Sequence, residues 1–276
     1  MNSKISTKTF GVASSGIVPV RIDSSDASEM LTQILLGETC RVTQEKKRWV
    51  RIKCDTDGYE GWVNRAQMDI LNQEQYEKWI YHPDRLRSPY FNFFAKDKRS
   101  AVMVPVGSCI IRKGSTVMIP HGEYESTTKP VMLKKSGLID TAMQFLGVPY
   151  LWGGRTDTGI DCSGFIQTIH LLHGYKLPRD SSDQYSFAKI KSKDIKDAER
   201  GDLIYFNTTG KKVNHVGLYL GDGGVLHASG TVRVSNICYD KRNEHIYPFD
   251  KRLADHIYGV QSGSLLRKLA KPDQIE

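Results

Sequence analysis

Asp161-Cys162-Ser163-Gly164-Phe165 closely follows a Trp152-Gly153-Gly154 turn, and it opens a run whose apolar residues Phe165, Ile169 and Leu172 recur at helical spacing. Gly174, after His173, reads as the helix stop. The spacing predicts a helix with Cys162 in its first turn. Unpaired amides and the positive end of the helix dipole favour a thiolate there, and a neighbouring imidazole is expected to draw the thiol below its free pKa of roughly 8.5. Cys162 is therefore a candidate nucleophile; an ordinary cysteine at a helix start is the plain alternative.

Further along, VNHVGLYLGDGGVLHASG predicts two short strands around Gly221-Asp222-Gly223-Gly224, with His215 on the first and His227 on the second. A bend near Gly221 sets the two imidazoles opposed or diagonal across the hairpin. In a nucleophile–base–orienter set, Cys162 attacks, His215 takes and returns the proton, and His227 holds the His215 ring in one tautomer. The order in the chain, cysteine on a helix before histidine on a strand, is papain-like. Two histidines filling a strand face, or a stray metal site, are the competing readings.

The elements that must position these groups follow from pattern and composition. With 276 residues, 39% of them hydrophobic, the chain is long enough for two or three domains with real cores. Residues 1–70 show short alternating runs broken by Gly, Asp and Ser, the pattern of a small β-barrel. Residues 71–135 begin with a polar, aromatic insertion carrying one helix around Asn72–Ile80, followed by a second strand-rich unit. Its likeness to the first is one of architecture and not of sequence. Residues 136–276 open with LIDTAMQFLGVPY, a helix apolar at Leu138, Ala142, Phe145 and Leu146 and closed by Gly147.

Several function classes fall away. No run approaches the roughly 18 apolar residues of a membrane span. The N-terminus lacks the apolar core of a secretory signal, so the expected compartment is the cytoplasm, or the cell envelope if a leader was removed. The five cysteines have neither CxxC pairing nor metal-ligand spacing, and Cys40, Cys54 and Cys109 read as small core residues. A net charge of +8 invites nucleic acid, but the basic residues are dispersed and no recognition module accompanies them. A mild attraction to anionic wall polymers fits that charge.

VPYLWGGRTDTGIDCSGFIQ, LPRDSSDQ, ERGDLIYF and VNHVGLYLGDGGVLHASG resemble, in order and spacing, the successive blocks of the NlpC family of bacterial cell-wall cysteine peptidases, from about Leu138 to Gly259. Val20-Arg21, Gly37-Glu38, Trp49-Val50-Arg51-Ile52 and Gly58-Tyr59-Glu60-Gly61-Trp62-Val63 resemble a bacterial SH3-like domain. The resemblance implies an α+β fold: a papain-like catalytic domain preceded by one or two SH3-like β-barrels. It implies Cys162 as nucleophile, His215 as general base and acid, His227 as the polar third member, and Tyr150 helping the Cys162 amide hold the oxyanion. Trp152, Asp161 and Ser163 would line the cleft.

Two SH3-like units and the LPRDSSDQ block narrow the resemblance to YkfC-like γ-D-glutamyl-L-diamino acid endopeptidases, which act on wall peptides whose first L-Ala has a free amine. Asp180, with Ser181 beside it, matches the position that holds this amine, and a buried ammonium requires such a carboxylate. Asp180 also reads as the N-cap of a helix over SSDQYSFAKI, and the two roles are compatible. Glu29 and Tyr59 are implied to wall off the non-primed end and complete the amine pocket. The implied partner is a peptidoglycan-derived L-Ala-γ-D-Glu-diamino acid peptide, with no metal or organic cofactor and a monomeric enzyme. Two alternatives stand at this point: a non-catalytic wall-binding protein built on its barrels, and an acyl transferase or amidase. Permuted relatives with the latter chemistry place His before Cys, the reverse of the order here.

Overall fold

The computed structural model describes residues 4–81, 84–85, 91–95, 101–113, 116–126, 137–238 and 247–270. The chain divides into two compact units, 1–134 and 135–276. The expected border near 135 itself lies outside the described residues.

In the first unit, strands Lys4–Ala13 to Met68–Leu71 form a seven-stranded antiparallel sheet. Alternation drives it: along Trp49–Cys54, Val50, Ile52 and Cys54 point into the core while Arg51 and Lys53 point out. Each fully buried Val or Ile contributes roughly 1.5–3 kcal/mol. Cys40 sits opposite Cys54 across paired strands, and both are buried free thiols, as is Cys109 in the next sheet. The expected helix runs Gln73–Tyr81. Asn72 and Gln75 cap its start reciprocally, each side chain accepting from the other's backbone N–H at 2.9 and 3.0 Å. Its Tyr76 stacks on Phe10 with ring centroids 3.9 Å apart.

A second, six-stranded sheet runs in the order Ala101–Val104, Phe91–Ala95, Gly122–Ser126, Thr116–Ile119, Cys109–Lys113, Asp84–Arg85. Its core of Val104, Ile110, Val117, Ile119 and Tyr124 also contains Leu36, supplied by the turn that follows strand Met30–Leu35 of the first sheet. Gly37 makes that approach possible: its φ is +77°, and a Cβ there would collide with the Cys109 carbonyl. The Cys109 amide donates to the Leu36 carbonyl at 2.8 Å. Glu38, buried beside it, accepts from the Leu35 amide at 3.0 Å, from Thr56 at 3.2 Å and from Arg85 at 2.9 Å.

The second unit is a helix-on-sheet layer. Its six antiparallel strands run in the order Ile190–Ser192, Ile257–Gln261, Leu203–Phe206, His215–Gly221, Gly224–Ser229, Thr231–Asn236. Helix Cys162–Leu172 packs on the middle of this sheet with every one of its residues buried, the polar Ser163, Gln167, Thr168 and His170 included. The opening helix is shorter than expected, Leu138–Met143. Phe145 and Leu146 donate to the carbonyls three residues back, which tightens the turn, keeps Phe145 inside and leaves Leu146 45% exposed. No described helix is long and apolar enough to cross a membrane.

Glu38 ties the Leu36 turn to the second sheet. Glu38→Ala is expected to lower the urea-unfolding free energy by about 3 kcal/mol, because Arg85 and the Leu35 amide lose a buried acceptor. A loss below about 1 kcal/mol contradicts this role.

Candidate active site

The helix that begins at Cys162, the candidate nucleophile, is fixed at its first turn. Asp161 is the N-cap, and its Oδ1 accepts from the Gly164 amide at 2.7 Å. Its Oδ2 accepts from the Gly153 amide at 2.8 Å, tying the Trp152-Gly153-Gly154 turn to the helix. Arg179 donates to both carboxylate oxygens, Nη1 at 3.0 Å and Nη2 at 2.5 Å, and Nη1 also reaches the Ser163 hydroxyl at 2.9 Å. The pair is buried, with side-chain exposures of 1% for Arg179 and 8% for Asp161. Burial alone would lower the Arg179 pKa, but the adjacent Asp161 charge outweighs it and the net direction is up. Gly164 has no room for a side chain, since a Cβ would strike the Gly154 carbonyl oxygen.

Asp161 and Ser163, expected to line the cleft, are thus buried with their oxygens engaged by protein donors. Their geometry holds the helix start in place. Arg179 is absent from the sequence-based set, although it lies in the LPRDSSDQ block.

Cys162 is 7% exposed, and the backbone N–H groups of Val216 and Ser163 approach its sulfur. Val216 directly follows His215, so the thiol lies against the histidine strand. The expected lowering of the thiol pKa is reversed. Burial first, and then the Asp161 charge, push it up to about 12, against the partial relief of the two amides and Arg179. Burial thus favours the thiol over the thiolate. The Tyr150 phenol is pushed up as well, by burial first, then by Cys162 in its ionised form and by the Asp161 charge, so it stays protonated and able to donate.

Gly217 faces His227, where a Cβ would come within 3.1 Å of the His227 Cβ, and this gap lets the His215 ring reach diagonally across the hairpin. His215 Nε2 and His227 Nδ1 are 2.9 Å apart, with the rings nearly perpendicular at 87°. His227 Nε2 lies 3.0 Å from the Ser235 hydroxyl on the next strand, a residue that the sequence reading did not include. Burial, then the His227 and Arg252 charges, lower the His215 pKa to about 3; burial, then Arg233 and Arg252, lower that of His227 to about 4. With Nε2 engaged, Nδ1 is the His215 nitrogen not committed to His227.

Trp152 is 61% exposed, beside the turn that Asp161 anchors. Asp180 is the half-buried N-cap residue of helix Ser181–Phe187, and its charge acts on neighbouring Arg179. Ser181, half-buried, is the first residue of that helix, which is tied to the nucleophile's helix by Gln184 donating to the Ser163 carbonyl at 3.0 Å. Glu29 and Tyr59 belong to the first unit. Glu29 is exposed, with its carbonyl accepting from the Ile22 amide; Tyr59 is half-buried, with its amide donating to Asp57.

Arg179→Ala strands the Asp161 carboxylate in a dry site. It is expected to cost about 3–5 kcal/mol in stability and to slow alkylation of Cys162, and wild-type melting together with wild-type alkylation contradicts the anchoring role. His170, on the same helix, is also pulled down to about 4, chiefly by burial. The unfolded chain therefore binds more protons than the folded one between about pH 4 and the ordinary histidine value near 6.5, so stability rises with pH there. Denaturant unfolding at pH 7 and pH 5 is expected to give the lower free energy at pH 5; equal values contradict the buried neutral imidazoles.

Residues 147–248 match the NlpC/P60 family model, and residues 20–68 match the bacterial dipeptidyl-peptidase Sh3 domain. The chain is 33% identical over 218 residues to the γ-D-glutamyl-L-lysine dipeptidyl-peptidase of Bacillus subtilis, covering 72% of each chain. It is 31% identical to the Bacillus cereus protein of the same name, over 74% of this chain and 68% of that one. A solved NlpC/P60 family protein from Bacillus cereus shares the fold with a TM-score of 0.74 at 21% identity, over 92% of this chain and 99% of the other. With a buried cysteine at the start of a helix on an antiparallel sheet, a histidine pair across its hairpin and an SH3-like domain ahead of both, the chain belongs to the NlpC/P60 family of cysteine peptidases.

Proposed function

We propose that this peptidase hydrolyses the γ-D-glutamyl-L-diamino acid bond of peptidoglycan stem peptides that begin with a free L-Ala. The catalytic part rests on one observation, the Cys162 thiol set against the His215 strand with His227 2.9 Å behind the imidazole. The substrate part is supported by the two Bacillus relatives, named γ-D-glutamyl-L-lysine dipeptidyl-peptidases. An enzyme that releases dipeptides counts from the amino end, so it must recognise an ammonium. Asp180 is the carboxylate we assign to it.

The reaction then runs as follows. His215 Nδ1 takes the Cys162 proton as the sulfur bonds to the γ-D-Glu carbonyl carbon. The tetrahedral oxyanion is held by the Cys162 amide and the Tyr150 hydroxyl, each such donor being worth about 10²–10³-fold in rate. The C–N bond breaks as His215 returns the proton to the leaving amine of the diamino acid. Water, deprotonated by His215, hydrolyses the thioester and restores the thiol. In this reading the enzyme processes released wall peptides and not the intact wall, whose stems carry a blocked amine.

Defined L-Ala-γ-D-Glu-diamino acid peptides, digested and read by mass spectrometry, test both parts. Cys162→Ala is expected to abolish cleavage with the fold retained, and activity in that variant removes the cysteine-peptidase mechanism. N-acetylation of L-Ala is expected to reduce kcat/KM by about 30-fold or more, the kinetic equivalent of at least 2 kcal/mol for a broken buried charge pair. Asp180→Asn is expected to level the two substrates. Equal cleavage of free and acetylated peptides by the wild type removes the amine-recognition reading.

A further inference from the structure

The His215–His227 contact leaves one question of proton placement open, and its answer lies one strand further out. Both imidazoles are buried, His227 completely, and both are held neutral by burial and by the positive charges of Arg233 and Arg252. Each neutral ring carries a single N–H. Two proton arrangements are compatible with the spacing between them. In one, His215 Nε2–H donates to His227 Nδ1, the His227 proton sits on Nε2, and His215 Nδ1 keeps its lone pair. In the other, His227 Nδ1–H donates to His215 Nε2, and the His215 proton occupies Nδ1. Only the first leaves a base facing the thiol. Protonating that base gives an imidazolium with both nitrogens donating, which requires the same His227 tautomer.

The two arrangements make opposite demands on the group at His227 Nε2, which must accept a hydrogen bond in the first and can only donate one in the second. That group is the Ser235 hydroxyl, 3.0 Å away, with Ser235 only 1% exposed. The register of strands Gly224–Ser229 and Thr231–Asn236 delivers it: His227 pairs with Arg233, and Ser235 lies two residues on, pointing to the same face. A hydroxyl can accept a hydrogen bond as well as donate one, a property that an aliphatic side chain at this position lacks. We propose that Ser235 is a positioning residue for catalysis, whose hydroxyl accepts the His227 Nε2–H in the reactive form and so keeps His215 Nδ1 free to take the Cys162 proton. The nucleophile's machinery thus extends across three neighbouring elements of the sheet layer: helix, hairpin and the outer strand.

This inference rests on the cysteine-peptidase reading of the site, but it can be tested without any peptide substrate. In protein labelled with 15N-histidine, two-bond 1H–15N spectra report which nitrogen of each ring carries the proton. The wild type is expected to populate the Nε2–H tautomer of His227. In Ser235→Ala that population falls, and alkylation of Cys162 by iodoacetamide slows about tenfold. With the stem peptide, kcat falls by at least about tenfold with little change in KM, toward the much larger loss known when a catalytic histidine is held in the wrong tautomer. Ser235→Thr, which keeps the hydroxyl, is expected to restore the tautomer and both rates, which a merely space-filling role does not require. If Ser235→Ala misfolds, the wild-type spectrum and the threonine variant still decide. An unchanged His227 tautomer ratio with full alkylation in the alanine variant, or a wild-type His227 protonated on Nδ1 alone, overturns the proposal. Absence of peptide cleavage by the wild type, with the tautomer and alkylation effects intact, overturns only the substrate assignment.

Discussion

The buried pair of Asp161 and Arg179 is the constraint on which the rest of the catalytic unit depends. One carboxylate caps the nucleophile's helix, holds the turn that presents Trp152 and receives a two-point contact from the guanidinium. An ion pair buried to this degree is not in itself a large source of stability, because desolvation opposes the attraction. Its value is geometric. Two planar groups joined at two points allow little rotation, so the amides of the first helical turn are aimed before any substrate arrives.

Around that anchor the protein keeps its reactive groups uncharged. Burial raises the Cys162 thiol and the Tyr150 phenol and lowers both imidazoles. Burial therefore works against a thiolate–imidazolium pair at rest. In the proposed mechanism charge separation accompanies attack, and the Cys162 amide and the Tyr150 hydroxyl are the groups assigned to receive the negative charge. The same dryness that suppresses the ion pair at rest strengthens each of those hydrogen bonds once charge develops.

The cysteine helix and the histidine hairpin were legible in the chain because their signals are local. A cysteine before a helical run and two histidines about a Gly-Asp-Gly-Gly bend can be read from spacing alone, and the bend limits the pair to opposed or diagonal placement. The choice of diagonal needed Gly217, whose missing side chain matters only once His227 is seen across from it. Arg179 and Ser235 were illegible for a different reason. Each acts through a partner distant in the chain, and which serine or arginine fills the role depends on register and on loops that periodicity does not encode. Leu146 followed the apolar pattern but turned outward, because a tightened last turn rotated it away from the face that Ala142 and Phe145 share. The lowered thiol pKa expected from the helix dipole failed because burial is the stronger influence at this depth.

Leu36 carries a consequence for how the N-terminal half can evolve. It belongs by sequence to the first sheet and by packing to the core of the second, with Gly37 and Glu38 fitted around the crossing. The first sheet therefore cannot be excised as a clean module. Cut away, it would carry an exposed leucine on its surface and leave a hole in the sheet it abandoned. Recombination that shuffles such barrels between proteins would have to move the two sheets together, as a single heritable block.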